Sequence, residues 1–390
     1  MVKEVVKRIL GRRLTRVASA GMQALRYYPQ YLRGGEAGPL RNLDIEITYG
    51  CNARCRMCPL YGEHTGDKSS RSVANGRKEL TTEAIRGVLL QCSRMGTERV
   101  LFTGGEPLLR PDLSELVGFG SSLGMSVGVI TNGAILTENV ARGLTAAGLD
   151  TLHISLDGPA EVHNSIRRVP NMFARMDMNV SMLRAEQVLQ KRTTPLLSAG
   201  CTVSTLNQSC LHELVPIAAR WKAALSLAPI FFVLDPQDQR TAPASGPKPE
   251  DWLLPDHIRN IDPDLLAREL ALVRRLSRES RVPLNLEIGD SPRMLRRRYY
   301  SPSYSENNKC LYPWYGTRMN PYGDIFPCSL QTVMGNVLEQ PLRNLWESQR
   351  YTAFRRSLRK HGRFAQCARC CALSRHDWVA RLLPRFSWLL

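Results

Sequence analysis

The chain has 390 residues, of which 43% are hydrophobic and 23% charged. That balance excludes a wholly disordered polypeptide and leaves room for roughly two or three domains. Its formal charge of +18 favours anionic company such as nucleic acid, phosphorylated metabolites or an acidic membrane face.

Residues 1–35 are predicted as a basic amphipathic helix. Val2, Val5, Val6, Ile9, Leu10, Leu14 and Val17 recur at helical spacing, flanked by Lys and Arg with Glu4 as the lone acid. Gly34 and Gly35 then act as a linker. Over 36–235, strands and helices alternate. Leu43–Thr48, Arg99–Phe102, Ser126–Ile130, Thr151–Leu156, Leu196–Ser204 and Ser226–Val233 read as strands. Leu80–Gly96, Asp112–Leu123, Glu138–Ala147, Met172–Gln190 and Leu211–Arg220 read as the intervening helices. Six such steps predict an α/β fold with a parallel sheet, and they are too few for a closed eight-stranded barrel. The expected architecture is a partial, TIM-like (β/α)6 barrel. Residues 236–282 form a proline-rich connection followed by a helix over Asp264–Arg278. Over 283–390 the pattern changes to short strands, turns and the remaining cysteines, which predicts a small C-terminal cysteine-rich cluster-binding domain and tail. The longest uncharged run, Leu116–Thr137, is interrupted by glycines and does not read as a membrane-spanning helix.

The 11 cysteines follow no secretory signal, which points to metal or cluster ligation rather than a disulfide scaffold. Three of them, Cys51, Cys55 and Cys58, share one loop directly after the first strand. Thiolates suit iron–sulfur clusters or zinc. Three in one loop can hold three irons of a cubane and leave the fourth iron open; a zinc knuckle that borrows a fourth ligand is the alternative. At the end of the second strand stands Thr103-Gly104-Gly105-Glu106-Pro107. Its glycines allow close backbone approach to a ligand, and Glu106 can take an ammonium.

Together these two motifs resemble the radical S-adenosylmethionine superfamily over about Leu43–Val233. The resemblance implies a [4Fe–4S] cluster on Cys51, Cys55 and Cys58 whose open iron chelates S-adenosylmethionine. It implies that Gly104, Gly105 and Glu106 position the methionyl amine. Ser155 and Asp157, in the Ser-Leu-Asp-Gly that ends the fourth strand, match ribose- and carboxylate-facing positions. Arg167 matches an arginine that steadies the same ligand. Thr131, Asn132 and Asn207 sit where the family lines its pocket, although Asn132-Gly133 is also a good turn pair. His163 reads as structural.

Cys310, Cys328, Cys367 and Cys370 form a second set, with Cys371 competing for the fourth place. The Cys-x-x-Cys spacing favours Cys370. This region resembles the auxiliary-cluster domain called twitch, a shortened SPASM domain, and implies a second [4Fe–4S] cluster; a structural zinc is the alternative. Cys92, Cys201 and Cys210 read as core residues.

The implied function is reductive cleavage of S-adenosylmethionine to a 5′-deoxyadenosyl radical, driven by an external flavodoxin- or ferredoxin-like electron donor. That radical takes hydrogen from a small or lipid-linked anionic metabolite, leading to oxidation, epimerisation or carbon–carbon bond formation. The alternatives are a peptide-modifying maturase and a non-catalytic cluster- or zinc-bearing RNA-binding protein. Against the maturase, the segment before Leu43 is too short for a winged-helix leader-recognition domain. The sequence names no catalytic acid, base or hydrogen donor. The arginines of 271–300 and the run Arg355, Arg356, Arg359, Lys360 and Arg363 read as solvated faces or a phosphate-binding rim. Few aromatics interleave them, so nucleic acid is disfavoured as a partner. The expected location is the cytoplasm. The basic N-terminus and the Trp378–Leu390 tail would give peripheral contact with the inner membrane face.

Overall fold

The computed structural model describes residues 28–36, 38–62, 76–232, 254–301, 304, 310–329, 332–364 and 367–370. Most of the predicted N-terminal helix, the proline-rich stretch up to 253, Cys371 and the tail lie outside these residues.

Alternation along the strands decides which face carries the core. In β1 (Asn42–Thr48), Leu43, Ile45 and Ile47 are buried, whereas Asn42, Asp44 and Glu46 are half-buried. Successive side chains on a strand point to opposite faces, so the charged set lies on the face away from the helices. The same alternation runs through β2 (Arg99–Gly104), β4 (Thr151–Ser155), β5 (Leu196–Val203) and β6 (Ala224–Pro229). β3 (Ser126–Thr131) is more evenly buried. Each fully buried Leu, Ile or Val contributes roughly 1.5–3 kcal/mol.

The helices behind this sheet are α1 (Thr82–Arg94), α2 (Leu113–Ser122), α3 (Glu138–Ala146), α4 (Ala160–Arg167), α5 (Met172–Leu189), α6 (Leu214–Arg220) and α7 (Pro263–Glu279). The first shows why they form where they do. Thr81 caps α1 by accepting from the Ala84 N–H at 3.2 Å, and Ile85, Val88, Leu89 and Cys92 make its buried stripe.

The parallel sheet extends beyond the six predicted strands. β7 (Leu284–Leu286) pairs in parallel with β6, and β8 (Gly316–Met319) pairs in parallel with β1. Two short strands, β9 (Asp324–Phe326) and β10 (Gly335–Asn336), continue antiparallel. The order is β10-β9-β8-β1-β2-β3-β4-β5-β6-β7. β7 has three residues and β8 carries Gly316 and Arg318, so neither offers the branched apolar run that marks a strand.

The C-terminal region is also more helical than predicted, with α8 (Pro292–Tyr300), α9 (Leu342–Trp346) and α10 (Gln349–His361). Two basic residues expected at the surface are buried there. Arg355 is fully buried, its guanidinium over the rings of Tyr351 (3.9 Å) and Trp346 (4.2 Å), and its Nε donates to the Pro313 carbonyl at 2.7 Å. Arg298 donates to the Arg369 carbonyl at 2.8 Å. Arginine tolerates this because its flat head stacks on aromatics while backbone carbonyls take its protons. No helix among the described residues is long and apolar enough to cross a membrane.

Candidate active site and a second cysteine centre

β1 delivers the chain into the cysteine loop. The Cys58 N–H donates to the Cys55 carbonyl at 3.0 Å, the Gly62 N–H to the Cys58 carbonyl at 2.7 Å, and the Leu60 N–H to Cys58 Sγ at 3.4 Å. Two further bonds tie the loop to the end of α4: Arg56 N–H to the Ile166 carbonyl at 2.9 Å and Arg54 N–H to the Arg167 carbonyl at 3.4 Å. All three cysteines therefore gather in one small cluster with Ala53, Ala134, Val169 and Met172. Burial pushes the Cys51 thiol up to about 11 and raises Cys55 as well, the latter opposed by Arg167. Binding metal there expels protons, because only thiolates ligate.

The two glycines after β2 serve the protein's own backbone first. A Cβ on Gly105 would lie 2.2 Å from the Gly50 carbonyl oxygen, and one on Gly104 (φ +136°) 2.3 Å from that of Thr48. The Gly105 N–H donates to the Thr48 carbonyl and the Glu106 N–H to the Gly50 carbonyl, both at 2.8 Å. Glycine at both positions is what lets β2 end against the entry to the cysteine loop.

Glu106 is fully buried and already engaged. Its carboxylate accepts from Thr131 Oγ1 at 2.6 Å, the Asn132 N–H at 2.7 Å and the Leu108 N–H at 3.1 Å. Desolvation raises its pKa against these three donors. Asn132 in turn donates from Nδ2 to Asn52 Oδ1 at 2.7 Å, inside the cysteine loop. The carboxylate thus braces the ends of β2 and β3, with three donors on its two oxygens.

Asp157 and Arg167 make the charged part of the site. Asp157 is fully buried, with Oδ2 2.7 Å from Arg167 Nε. The contact is ionic without hydrogen-bond alignment, and neither carboxylate oxygen receives a donor among the described residues. Arg167 Nη1 also points at Cys55 Sγ, 3.6 Å away. Burial works to lower the Arg167 pKa, but Asp157 and Cys55 outweigh it and hold the guanidinium charged. His163 accepts the Asp157 N–H on Nδ1 at 3.2 Å, which assigns its proton to Nε2, where no acceptor is found among the described residues. Burial pushes its pKa down to about 3.

Ser155 stands half-buried at the end of β4, opposite Gly200 of β5. The Asn207 amide is spent on the framework: Nδ2 donates to the Asp157 and Thr202 carbonyls, both at 3.0 Å, and Oδ1 accepts from the Ser204 N–H at 2.9 Å. The structure brings Cys51, Cys55, Cys58, Gly104, Gly105, Glu106, Thr131, Asn132, Asp157 and Arg167 to one rim of the sheet. Three gathered thiols beside an under-satisfied buried carboxylate–guanidinium pair fit a cluster with a zwitterionic ligand on its open iron.

The second centre is assembled from further apart. Cys310 precedes the turn Tyr312–Trp314, Cys328 follows β9, and Cys367 and Cys370 share a turn closed by the Cys370 N–H to the Cys367 carbonyl at 3.1 Å. Burial, with Cys328 adding to it, pushes Cys310 up to about 12, and Cys367 is raised for the same reasons. No three His, Cys, Asp or Glu side chains among the described residues converge on a single ion. A cubane holds its ligands at separate corners, so thiolates that serve it need not meet at one point.

Comparison with known proteins decides the family. The Radical SAM superfamily matches residues 45–189, and the SPASM iron-sulfur cluster-binding domain matches residues 310–371. The chain is a radical SAM enzyme with a C-terminal SPASM domain. Radical SAM chemistry uses a [4Fe–4S] cluster, S-adenosylmethionine and an electron donor, and the SPASM domain brings an auxiliary cluster. The AdoMet-dependent heme synthase of Methanosarcina barkeri is 29% identical over 311 residues, 78% of this chain and 81% of that protein. The PqqA peptide cyclase of Streptomyces rochei is 26% identical over 333 residues, 83% of this chain and 79% of that one. The fold is like that of Streptococcus suis SuiB crystallised with S-adenosylmethionine: the TM-score is 0.59 at 16% identity, covering 86% of this chain and 72% of SuiB.

Sequence reasoning missed Asn52, which bridges to Asn132, and the contact between Arg167 and Cys55. A single asparagine between two cysteines carries no signal of its own. The arginine lies more than a hundred positions from the sulfur it faces.

Proposed function

We propose that this radical SAM enzyme abstracts hydrogen from a small or lipid-linked anionic metabolite, leading to oxidation, epimerisation or carbon–carbon bond formation. The observation that carries the site assignment is the buried Asp157–Arg167 pair against Cys55. In this reading Cys51, Cys55 and Cys58 hold the catalytic cluster, and Cys310, Cys328, Cys367 and Cys370 hold one auxiliary [4Fe–4S] cluster. Bound cluster and S-adenosylmethionine supply the 5′-deoxyadenosyl radical. Ser155, Asp157 and Arg167 face that ligand. Gly104, Gly105 and Glu106 position its methionyl amine, Thr131 and Asn132 line the pocket beside them, Asn207 fixes the strand end, and His163 keeps the Asp157 backbone in place. Burial of these groups excludes water and concentrates their electrostatics on the ligand.

The substrate reading is supported by the match to a heme synthase along most of both chains. It is also supported by the half-buried Thr103, Ser155, Ser198, Thr202 and Ser226 on the face of the sheet that the helices leave open. The basic N-terminal segment supports a cytoplasmic protein in peripheral contact with an anionic membrane face. A second reading, peptide modification, is favoured by the similarity to PqqA peptide cyclase.

The test is anaerobic incubation of the reconstituted full chain with S-adenosylmethionine, a reductant and either carboxylate-bearing metabolites or precursor peptides. We expect 5′-deoxyadenosine to form and to rise with an anionic metabolite. A rise with peptides alone would transfer the assignment to the second reading, and no 5′-deoxyadenosine under any condition would end both.

A further inference from the structure

The open face of β1 carries two carboxylates, Asp44 and Glu46. Beside them runs β8, with Asp44 opposite Arg318. Arg318 reaches in two directions. Its Nη2 lies 3.0 Å from Glu46 Oε1, and its Nη1 donates to Ser329 Oγ at 2.8 Å. Ser329 directly follows Cys328, and β8 pairs with β9 so that Arg318 stands opposite Phe326, two residues before that cysteine. The guanidinium therefore sits between a carboxylate of the barrel and a ligand position of the second cysteine centre.

The far side of Glu46 is engaged as well. Tyr49 donates its hydroxyl to Glu46 Oε2 at 3.0 Å, and Tyr61 donates to the Tyr49 carbonyl at 2.6 Å, at the close of the catalytic cysteine loop. Tyr312 donates to Asp44 Oδ2 at 3.0 Å. Burial works to lower the Arg318 pKa, but Glu46, Asp44, Tyr312 and Cys328 outweigh it, so the group keeps its charge. The charges are fixed in place by partners on both sides.

A fixed positive charge next to an iron–sulfur cluster stabilises the form with one more electron, and a fixed negative charge does the reverse. We propose that Arg318 and Glu46 are an opposed pair of positioning residues that set the reduction potential of the auxiliary cluster, Arg318 raising it and Glu46 lowering it. This rests on the assignment of Cys310, Cys328, Cys367 and Cys370 as that cluster's ligands. The pair touches neither the reacting atoms nor S-adenosylmethionine in this account. Its effect is read in a potential rather than in turnover.

The experiment is a potentiometric titration of the reconstituted full-length protein followed by electron paramagnetic resonance, with iron counted in parallel. Arg318→Gln should move the auxiliary signal to lower potential, and Arg318→Lys should restore most of the shift. Glu46→Gln keeps size and accepts the same Tyr49 hydrogen bond, and it should move the signal to higher potential. The catalytic signal should move less in each case. Midpoints unchanged in both neutral variants, or shifted in the same direction, would overturn the proposal. So would failure of Glu46→Gln alone to raise the potential, which covers the case in which Arg318→Gln does not fold. Failure of the ligand assignment looks different: Cys328→Ala would then keep its full iron content, and the tuning proposal would fall with it.

Discussion

Cys51, Cys55 and Cys58 come from one loop of eight residues, whereas Cys310, Cys328, Cys367 and Cys370 come from three stretches gathered by β8, β9 and the segment after α10. The first set is anchored to its surroundings by short local bonds and faces a charged pair, Asp157 and Arg167. The second acts on itself: apart from burial, the main influences raising Cys367 are Cys328 and Cys310. Three thiols beside charged groups suit a centre that must accept a ligand and turn over. Four thiols brought from distant stretches suit a centre whose coordination is complete. The contrast is between three thiols, which leave a place for a ligand, and four.

The largest expected effect breaks the three-thiol site. Cys55→Ala removes one of only three thiolates, so 5′-deoxyadenosine formation should fall to background while the auxiliary iron stays. Iron analysis and product chromatography of the same preparation check both halves.

The next breaks the four-thiol site. Wild type with two cubanes should carry about eight irons per chain, and Cys328→Ala should lose roughly half of them. About four irons in wild type together with one tightly held zinc would replace the auxiliary cluster with a structural zinc.

Asp157→Asn sharpens the comparison by testing charge alone. It leaves Arg167 buried without its counter-ion, and breaking such a pair from one side costs on the order of 3–5 kcal/mol. Urea unfolding should show that loss, and affinity for S-adenosylmethionine should weaken. The matching substitution Cys310→Ser, away from any ion pair, should spare S-adenosylmethionine affinity.

His163 gives the three-thiol site a pH signature. Its folded pKa, about 3, lies below the unfolded value of 6.5, so the folded chain binds fewer protons in between. Stability is therefore full above 6.5 and is lost as pH falls through the window down to about 3, at roughly 1.4 kcal/mol per pH unit. Unfolding measured from pH 8 to pH 5 should show this slope, and His163→Gln should flatten it.

The smallest effect concerns the basic N-terminal segment. Full-length protein should co-sediment with anionic liposomes at low salt, and deleting residues 1–35 should weaken this. If both forms stay in the supernatant, the segment has no role at a membrane.

The β/α alternation from β1 to β6 was legible because each strand is a run of branched or aliphatic residues bounded by turn signals. The catalytic cysteines and Gly104-Gly105-Glu106 were legible for a different reason: their spacing is local. What was not legible is whatever depends on partners distant in sequence. β8 is a strand because β1 is there to pair with it, and Arg355 is buried because Trp346 and Tyr351 enclose it. Glu106 read as a ligand for an ammonium, and nothing in the motif announces that Thr131 and the Asn132 N–H also donate to it. The helix α4 was missed because it is only eight residues long and Pro159, at its N-terminus, supplies no capping side chain.

The pairing of β1 with β8 also bears on how the chain is made. Asn42 meets Gly316, so the first strand of the barrel waits for nearly all of the described chain before its second neighbour exists. Closing so long a loop adds little to the equilibrium cost, since that term grows only with the logarithm of length, but such non-local pairing slows folding. During synthesis the edge of β1 stands bare, with its cysteine loop already emerged, which is the condition under which a strand recruits the wrong partner. Removing the auxiliary region to obtain a minimal barrel would make that exposure permanent, and the truncated protein should aggregate through β1 rather than behave as a smaller enzyme.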